Sequence, residues 1–191
     1  MTTPGLLSGD QIRDLLSEVA HELDPSRAQA TVLVVGGSLM ALHGLRQATE
    51  DVDTSIRLDA DMRAAVRVVA ERRHLAIDWL NDHSATWHPH TLRLEDCVVL
   101  LEHPRLRVLG APLPAVFLMK LNRSQPQDVV DMIALWPLVV DEFPTACAVT
   151  DSFYAAFPNE QQDDGLDNYV RDLARRAGLD LPPAYPQRFE S

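Results

Sequence analysis

Thr31-Val32-Leu33-Val34-Val35-Gly36-Gly37-Ser38 decides the fold: a run rich in β-branched residues stops at two glycines, and an apolar stretch from Ser38 to Leu45 follows. That order reads as a buried strand, a tight turn and a short buried helix stopped near Gly44. Twelve residues separate Ser38 from Asp51-Val52-Asp53, which opens a segment to Leu58 of strict alternation. Val52, Thr54, Ile56 and Leu58 fall on one face and Asp51, Asp53, Ser55 and Arg57 on the other. On an extended strand the two carboxylates project together, about 6–7 Å apart at Cα. Their oxygens can converge on one ion or bridge two, and two-metal phosphoryl sites hold their ions about 3.5–4 Å apart. Gly36 and Gly37 let backbone N–H groups approach phosphate oxygens, and Ser38 adds a hydroxyl. Taken together, turn and acid pair read as a site for a metal–phosphate ligand.

Outward from that centre, Ser8 to Gln11 is a capping box, and Ile12, Leu15, Leu16, Val19, Ala20 and Leu23 form one helical stripe closed by Pro25. A helix from Asp59 or Asp61 buries Met62, Ala65, Val66 and Val69. Leu75 to Leu80 reads as a strand, Asn81 to His90 as a polar loop, and Cys97–Leu101 with Leu106–Leu109 as a strand pair turning at His103-Pro104. After Gly110 the pattern becomes helical. Pro112 and Pro114 sit where a helix starts, Val116 to Asn122 continues it, and Pro126 opens another with Val129, Val130, Ile133 and Ala134 inward, ended by Pro137. Leu166, Tyr169, Val170, Leu173 and Ala177 mark a last stripe stopped by Gly178, and the Pro182-Pro183 tail reads as irregular. The expected fold class is α/β (α+β), a small mixed sheet flanked by helices with a helical C-terminal half. Residues 1–110 form the core and 111–191 a helical subdomain.

Composition narrows the function. The chain has 191 residues, a 46% hydrophobic fraction and a formal net charge of −11, which suits one core-forming domain or a core with an appended subdomain. That acidity argues against a broad, sequence-independent grip on nucleic acid. No apolar run approaches the ~20 residues of a membrane helix, and no basic-then-apolar leader opens the chain. Cys97 and Cys147 lie in apolar surroundings without metal-ligand spacing and read as buried residues of a reducing compartment. A cytoplasmic protein without membrane association is expected.

Of seventeen basic residues sixteen are arginine, and Lys120 is the single lysine. A compact ammonium on a flexible stem suits phosphate contact. Asp78, set in Ala76-Ile77-Asp78-Trp79, is the candidate third carboxylate; a charged group inside an apolar strand is paired, solvated or metal-bound, and a strand exit is the alternative. His83, His88 and His90 share one loop but match no zinc pattern. Trp79 and Trp87 are read as core packing rather than base stacking.

Val34 to Leu58, with Gly36-Gly37-Ser38, Arg46, Thr49, Asp51 and Asp53, resembles the minimal nucleotidyltransferase superfamily. Asp78 to Asp82, Leu118-Met119-Lys120-Leu121 and Gln127-Asp128-Val129-Val130-Asp131 look like its bacterial toxin–antitoxin branch, the AbiEii-like and MenT-like proteins. The resemblance runs from about Val34 to Trp136. It implies an NTP site with Mg²⁺ (or Mn²⁺) in which Asp51 and Asp53 match the metal-binding pair, with Asp78 as the candidate further ligand. Gly36, Gly37 and Ser38 match the phosphate-binding turn, with Arg46 as a further nucleotide contact. Lys120 matches a nucleotide-contacting lysine, and Asp128 a downstream acid that orients Lys120 or binds acceptor. Asp131 shares the helical face of Asp128, so either acid can fill that role. Where such proteins often carry more basic residues, this chain has Asn122, Arg123, Ser124 and Gln125.

The implied activity is transfer of a nucleoside monophosphate from an NTP to a hydroxyl, with an RNA (tRNA) 3′ end as acceptor and a cognate toxin or antitoxin as partner. Two alternatives stand beside it: AMP transfer to a partner protein, which the acidic balance favours, and a silent NTP-binding module, against which the intact acid pair argues.

Overall fold

A computed structural model of the chain describes residues 5–181; the Pro182-Pro183 reading lies outside them. The chain divides into two compact units, one holding the residues up to His88 with Arg93–Pro112, the other Pro89–Leu92 with the chain from Leu113 onward.

In the first unit the capping box holds, Ser8 Oγ and the Gln11 side chain bonding each other's backbone N–H. It starts α1 (Gly9–Glu22), which buries Ile12, Leu15, Leu16, Val19 and Ala20. β1 (Ala30–Val34) follows, then α2 (Gly36–Leu42), β2 (Val52–Asp53), α3 (Ala60–Arg73), β3 (Leu80–Asn81), β4 (Val98–His103) and β5 (Leu106–Gly110). β5 lies between β1 and β4, parallel to β1 and antiparallel to β4. β2 and β3 pair in parallel as a second ribbon. A Val34–Thr54 bridge ties that ribbon to β1, with Val35 N donating to Asp53 O and Ser55 N to Leu33 O, both at 3.0 Å.

Two expected strands come out shorter, each for a local reason. The alternation from Asp51 to Leu58 gives only two strand residues and one bridge. Fully buried Thr54 accepts at Oγ1 from Leu33 N and from Ile56 N, at 3.1 and 3.2 Å. The second of these is a hydroxyl-closed turn that takes the place of a ladder bond. Leu75 to Leu80 loses its first half to the end of α3. His74 caps that helix in the left-handed region at φ 55°, and Leu75 N still donates to Ala70 O. A turn from Ala76 to Trp79 follows, so the strand starts at Leu80. The loop after Asn81 contains a 3₁₀ helix, His83–Trp87.

The second unit is helical: α4 (Leu113–Arg123), α5 (Pro126–Val139), α6 (Ala146–Ala156) and α7 (Leu166–Arg176). Phe117 packs edge-on against Trp136, ring centroids 4.8 Å apart, and tilted against Phe143. Pro137 does not end α5, which runs on to Val139 with the Pro137 ring exposed. Val130 faces outward at 57% exposure rather than inward, because Asp128 and Asp131 take the buried positions beside it. The fold class is the mixed α+β architecture that the sequence implies. Among the described residues no helix is long and apolar enough to cross a membrane.

Candidate functional site

The first unit assembles a site around the end of β1. Gly36 adopts φ +64°, a conformation costly for a side chain, and a Cβ there would stand 3.3 Å from Asp53 Oδ2. A Cβ on Gly37 would stand 2.8 Å from Arg46 Nη1 and 3.2 Å from Thr49 Oγ1. The double glycine therefore clears room for a carboxylate on one side and a guanidinium on the other. Arg46 Nε donates to Ala48 O at 2.9 Å, folding the side chain back over the loop. That loop is clamped in turn, since Leu7 and Thr49 exchange backbone bonds of 2.7 and 2.9 Å. Gly36, Gly37, Arg46, Asp53 and Thr49 are thus brought together.

Asp51 and Asp53 flank Val52, which is fully buried, and both carboxylates are half-buried. Across the ribbon Asp53 is registered with Asn81, and Asn81 Nδ2 donates to Asp51 Oδ2 at 3.1 Å. Sequence reasoning passed over Asn81 as the first residue of a loop. Its signal is a polar residue two positions after buried Trp79, at the end of a segment carrying an acid, but its meaning depends on strand register.

The remaining candidates have other surroundings. Ser38 is 1% exposed and its hydroxyl donates to Val35 O at 2.9 Å, so it locks the turn from inside. Asp78 lies on an exposed turn ahead of β3. Asp82, three residues after Trp79, accepts from Leu58 N at 3.0 Å and from Arg63 Nη2 at 2.7 Å. Burial acts to raise its carboxyl, but the Leu58 N–H and the Arg63 guanidinium outweigh that and hold it below the usual range. Ser55 Oγ and His88 Nδ1 are 3.2 Å apart. Trp79 is core, with Nε1 donating to Val66 O at 3.3 Å, whereas Trp87 is 45% exposed instead of packed. Cys97 and Cys147 are half-buried free thiols, not core residues.

Lys120, Asp128 and Asp131 belong to the second unit, and all three are buried. Lys120 Nζ donates to Asp131 Oδ2 at 2.6 Å and to Asp128 Oδ1 at 3.3 Å. Asp128 also accepts from Arg123 Nε and Nη2, at 2.8 and 2.7 Å, and from Gln125 N at 3.1 Å. Gln127 Nε2 reaches the other oxygen of Asp131 at 3.0 Å. Burial pushes the Asp128 carboxyl upward, but the Arg123 bonds and the Lys120 charge outweigh it and leave it below the ordinary value. Asp128 is also the third residue of α5, closing a capping box with Gln125. The cluster is an internally satisfied charge network.

The donor set in the first unit suits a hard divalent cation. Mg²⁺ is held by one or two carboxylates completed by water and substrate phosphates, and Asp51 and Asp53 supply that number. Among the described residues no three His, Cys, Asp or Glu groups gather to hold an ion by themselves. In comparison with known proteins, a family model described as "Nucleotidyltransferase of unknown function (DUF6036)" matches residues 11–140. No curated protein and no solved structure matches the chain.

Proposed function

Since the chain belongs to this DUF6036 family of nucleotidyltransferases of unknown function, we propose that it transfers a nucleoside monophosphate from an NTP to a hydroxyl acceptor, with a divalent cation at Asp51 and Asp53. One observation carries the reading: Asp53, one of the acid pair, stands against the glycine turn, its Oδ2 3.3 Å from where a Gly36 Cβ would sit, with Arg46 over the other side. When bound, the cation neutralises triphosphate charge and orients the α-phosphate for in-line attack. Asp51 and Asp53 hold it, Asn81 fixes Asp51, and Arg46 offers positive charge to phosphate oxygens. The acceptor oxygen bonds to the α-phosphorus as the bond to the β-phosphate oxygen breaks. Pyrophosphate departs, and the hydroxyl proton leaves to solvent.

An RNA 3′ end, with tRNA first, is the proposed acceptor, and a toxin–antitoxin locus with a cognate partner the setting. What supports both is the resemblance of the Asp78–Asp82, Leu118–Leu121 and Gln127–Asp131 stretches to that branch. The test is incubation of the full chain with Mg²⁺, each α-labelled NTP, total RNA and the protein encoded by the adjacent gene. Label on RNA that disappears in Asp53→Ala is the expected result. Label on the neighbouring protein reassigns the acceptor, as the net charge of −11 favours. No label on either from wild-type protein overturns the proposal.

A further inference from the structure

The register of the β2–β3 ribbon puts an amide beside the acid pair. Asn81 lies opposite Asp53 in parallel pairing, so its side chain leaves the ribbon on the carboxylate face. It is 5% exposed, and both ends of its carboxamide are engaged. Oδ1 accepts from His83 N at 3.0 Å, which turns Nδ2 toward Asp51 Oδ2 at 3.1 Å. The two partners differ in kind, a donor on one side and an ionised acceptor on the other, so only this orientation satisfies both. A carboxylate here would face Asp51 as an acceptor against an acceptor, a like-charge contact that a further cation or a shared proton relieves. The amide removes that need and donates to Asp51 directly.

We propose that the site takes a single divalent cation, delivered with the nucleoside triphosphate, and that Asn81 is the positioning residue that holds Asp51 toward it. This rests on the nucleotidyl-transfer reading and deepens it, since the spacing of the acids alone permits one ion or two. Two carboxylates leave most of the ion's coordination to water and phosphate, so the free chain binds the ion weakly and the ion–nucleotide complex binds as a unit.

Native mass spectrometry of the full chain with Mn²⁺ and the α,β-methylene analogues of ATP, GTP, CTP and UTP counts the ions bound, and calorimetry gives their affinity. One Mn²⁺ per nucleotide-loaded chain is expected, with little retained when nucleotide is omitted. Asn81→Asp is expected to admit a second ion. Asn81→Ala is expected to keep one ion but to weaken its binding about 10-fold, the usual scale for losing an outer-shell partner. If Asn81→Asp does not fold, the wild-type count and the alanine variant still decide. Two ions in the wild-type complex overturn this inference and leave nucleotidyl transfer standing. A chain that binds neither Mn²⁺ nor any analogue overturns both.

Discussion

Lys120→Met replaces a buried ammonium by an apolar chain of similar length, and the structure indicates where the damage falls. Lys120 is 3% exposed and bonds both Asp128 and Asp131. Asp128 loses one of four donors and keeps Arg123 at two atoms together with Gln125 N. Asp131 loses the Lys120 ammonium at 2.6 Å while the Gln127 amide stays on its other oxygen at 3.0 Å. Breaking a buried pair in this way costs about 3–5 kcal/mol. At about 2–4 °C per kcal/mol for a chain of this size, the melting temperature falls by roughly 6–20 °C. Thermal and urea unfolding followed by circular dichroism measure it. Adding Asp131→Asn to Lys120→Met removes the charge that faced the lost ammonium and is expected to restore part of the loss. Adding Asp128→Asn is expected to restore less, because it also removes the acceptor of two Arg123 bonds. Should Lys120→Met unfold within about 1 kcal/mol of wild type, below the range for a broken buried pair, while NTP turnover disappears, the network reasoning is refuted. Lys120 would then serve the nucleotide rather than the fold.

Gly36→Ala puts a Cβ in the left-handed region at φ +64° and 3.3 Å from Asp53 Oδ2. The backbone term is about 1–2 kcal/mol, so the fold survives in thermal melts while labelled-NTP turnover drops; unchanged turnover would show that the turn does not touch the reacting groups. Acid stability follows from Asp82 and Asp128, whose folded carboxyls are held below the ordinary value. A depressed folded pKa gives stability that is present above the unfolded value, about 3.9, and lost as pH falls through the folded value. The contribution of these two carboxyls to the unfolding free energy therefore declines below about pH 4. Asp128→Asn shallows that decline, and an identical slope in the variant would refute the assignment.

Helix starts and the central turn were legible because their causes are local. Ser8 with Gln11 specifies a cap within four residues, and Gly36 with Gly37 follows an apolar run that can only be a buried strand. The β4–β5 hairpin was legible for the same reason. Strand lengths were not. Thr54 looks like one more inward residue of an alternating strand, yet its hydroxyl takes two backbone N–H groups and stops the ladder. His74 gives no sign in its own identity of the left-handed cap that carries the end of α3 into the segment read as a strand. Pro137 misled in the opposite direction: α5 runs two residues past it, to Val139.

The same distinction between local and non-local causes governs the site. Asp51 and Asp53 share a face through the period of one strand, and that period is written in consecutive residues. Which residue stands beside them depends on how β3 is registered against β2, and the register depends on where the α3 cap lets the chain go. Because the cap and the Ala76–Trp79 turn consume the first residues after α3, the strand begins at Leu80, five positions later than its apolar pattern suggests. The neighbour of Asp53 is then Asn81, and Asp78 stays on the exposed turn. The side chain beside Asp51 is therefore an amide donating at 3.1 Å, and not the carboxylate of Asp78. In the proposed site, the number of acids facing the cation is in this way tied to a helix cap several residues upstream.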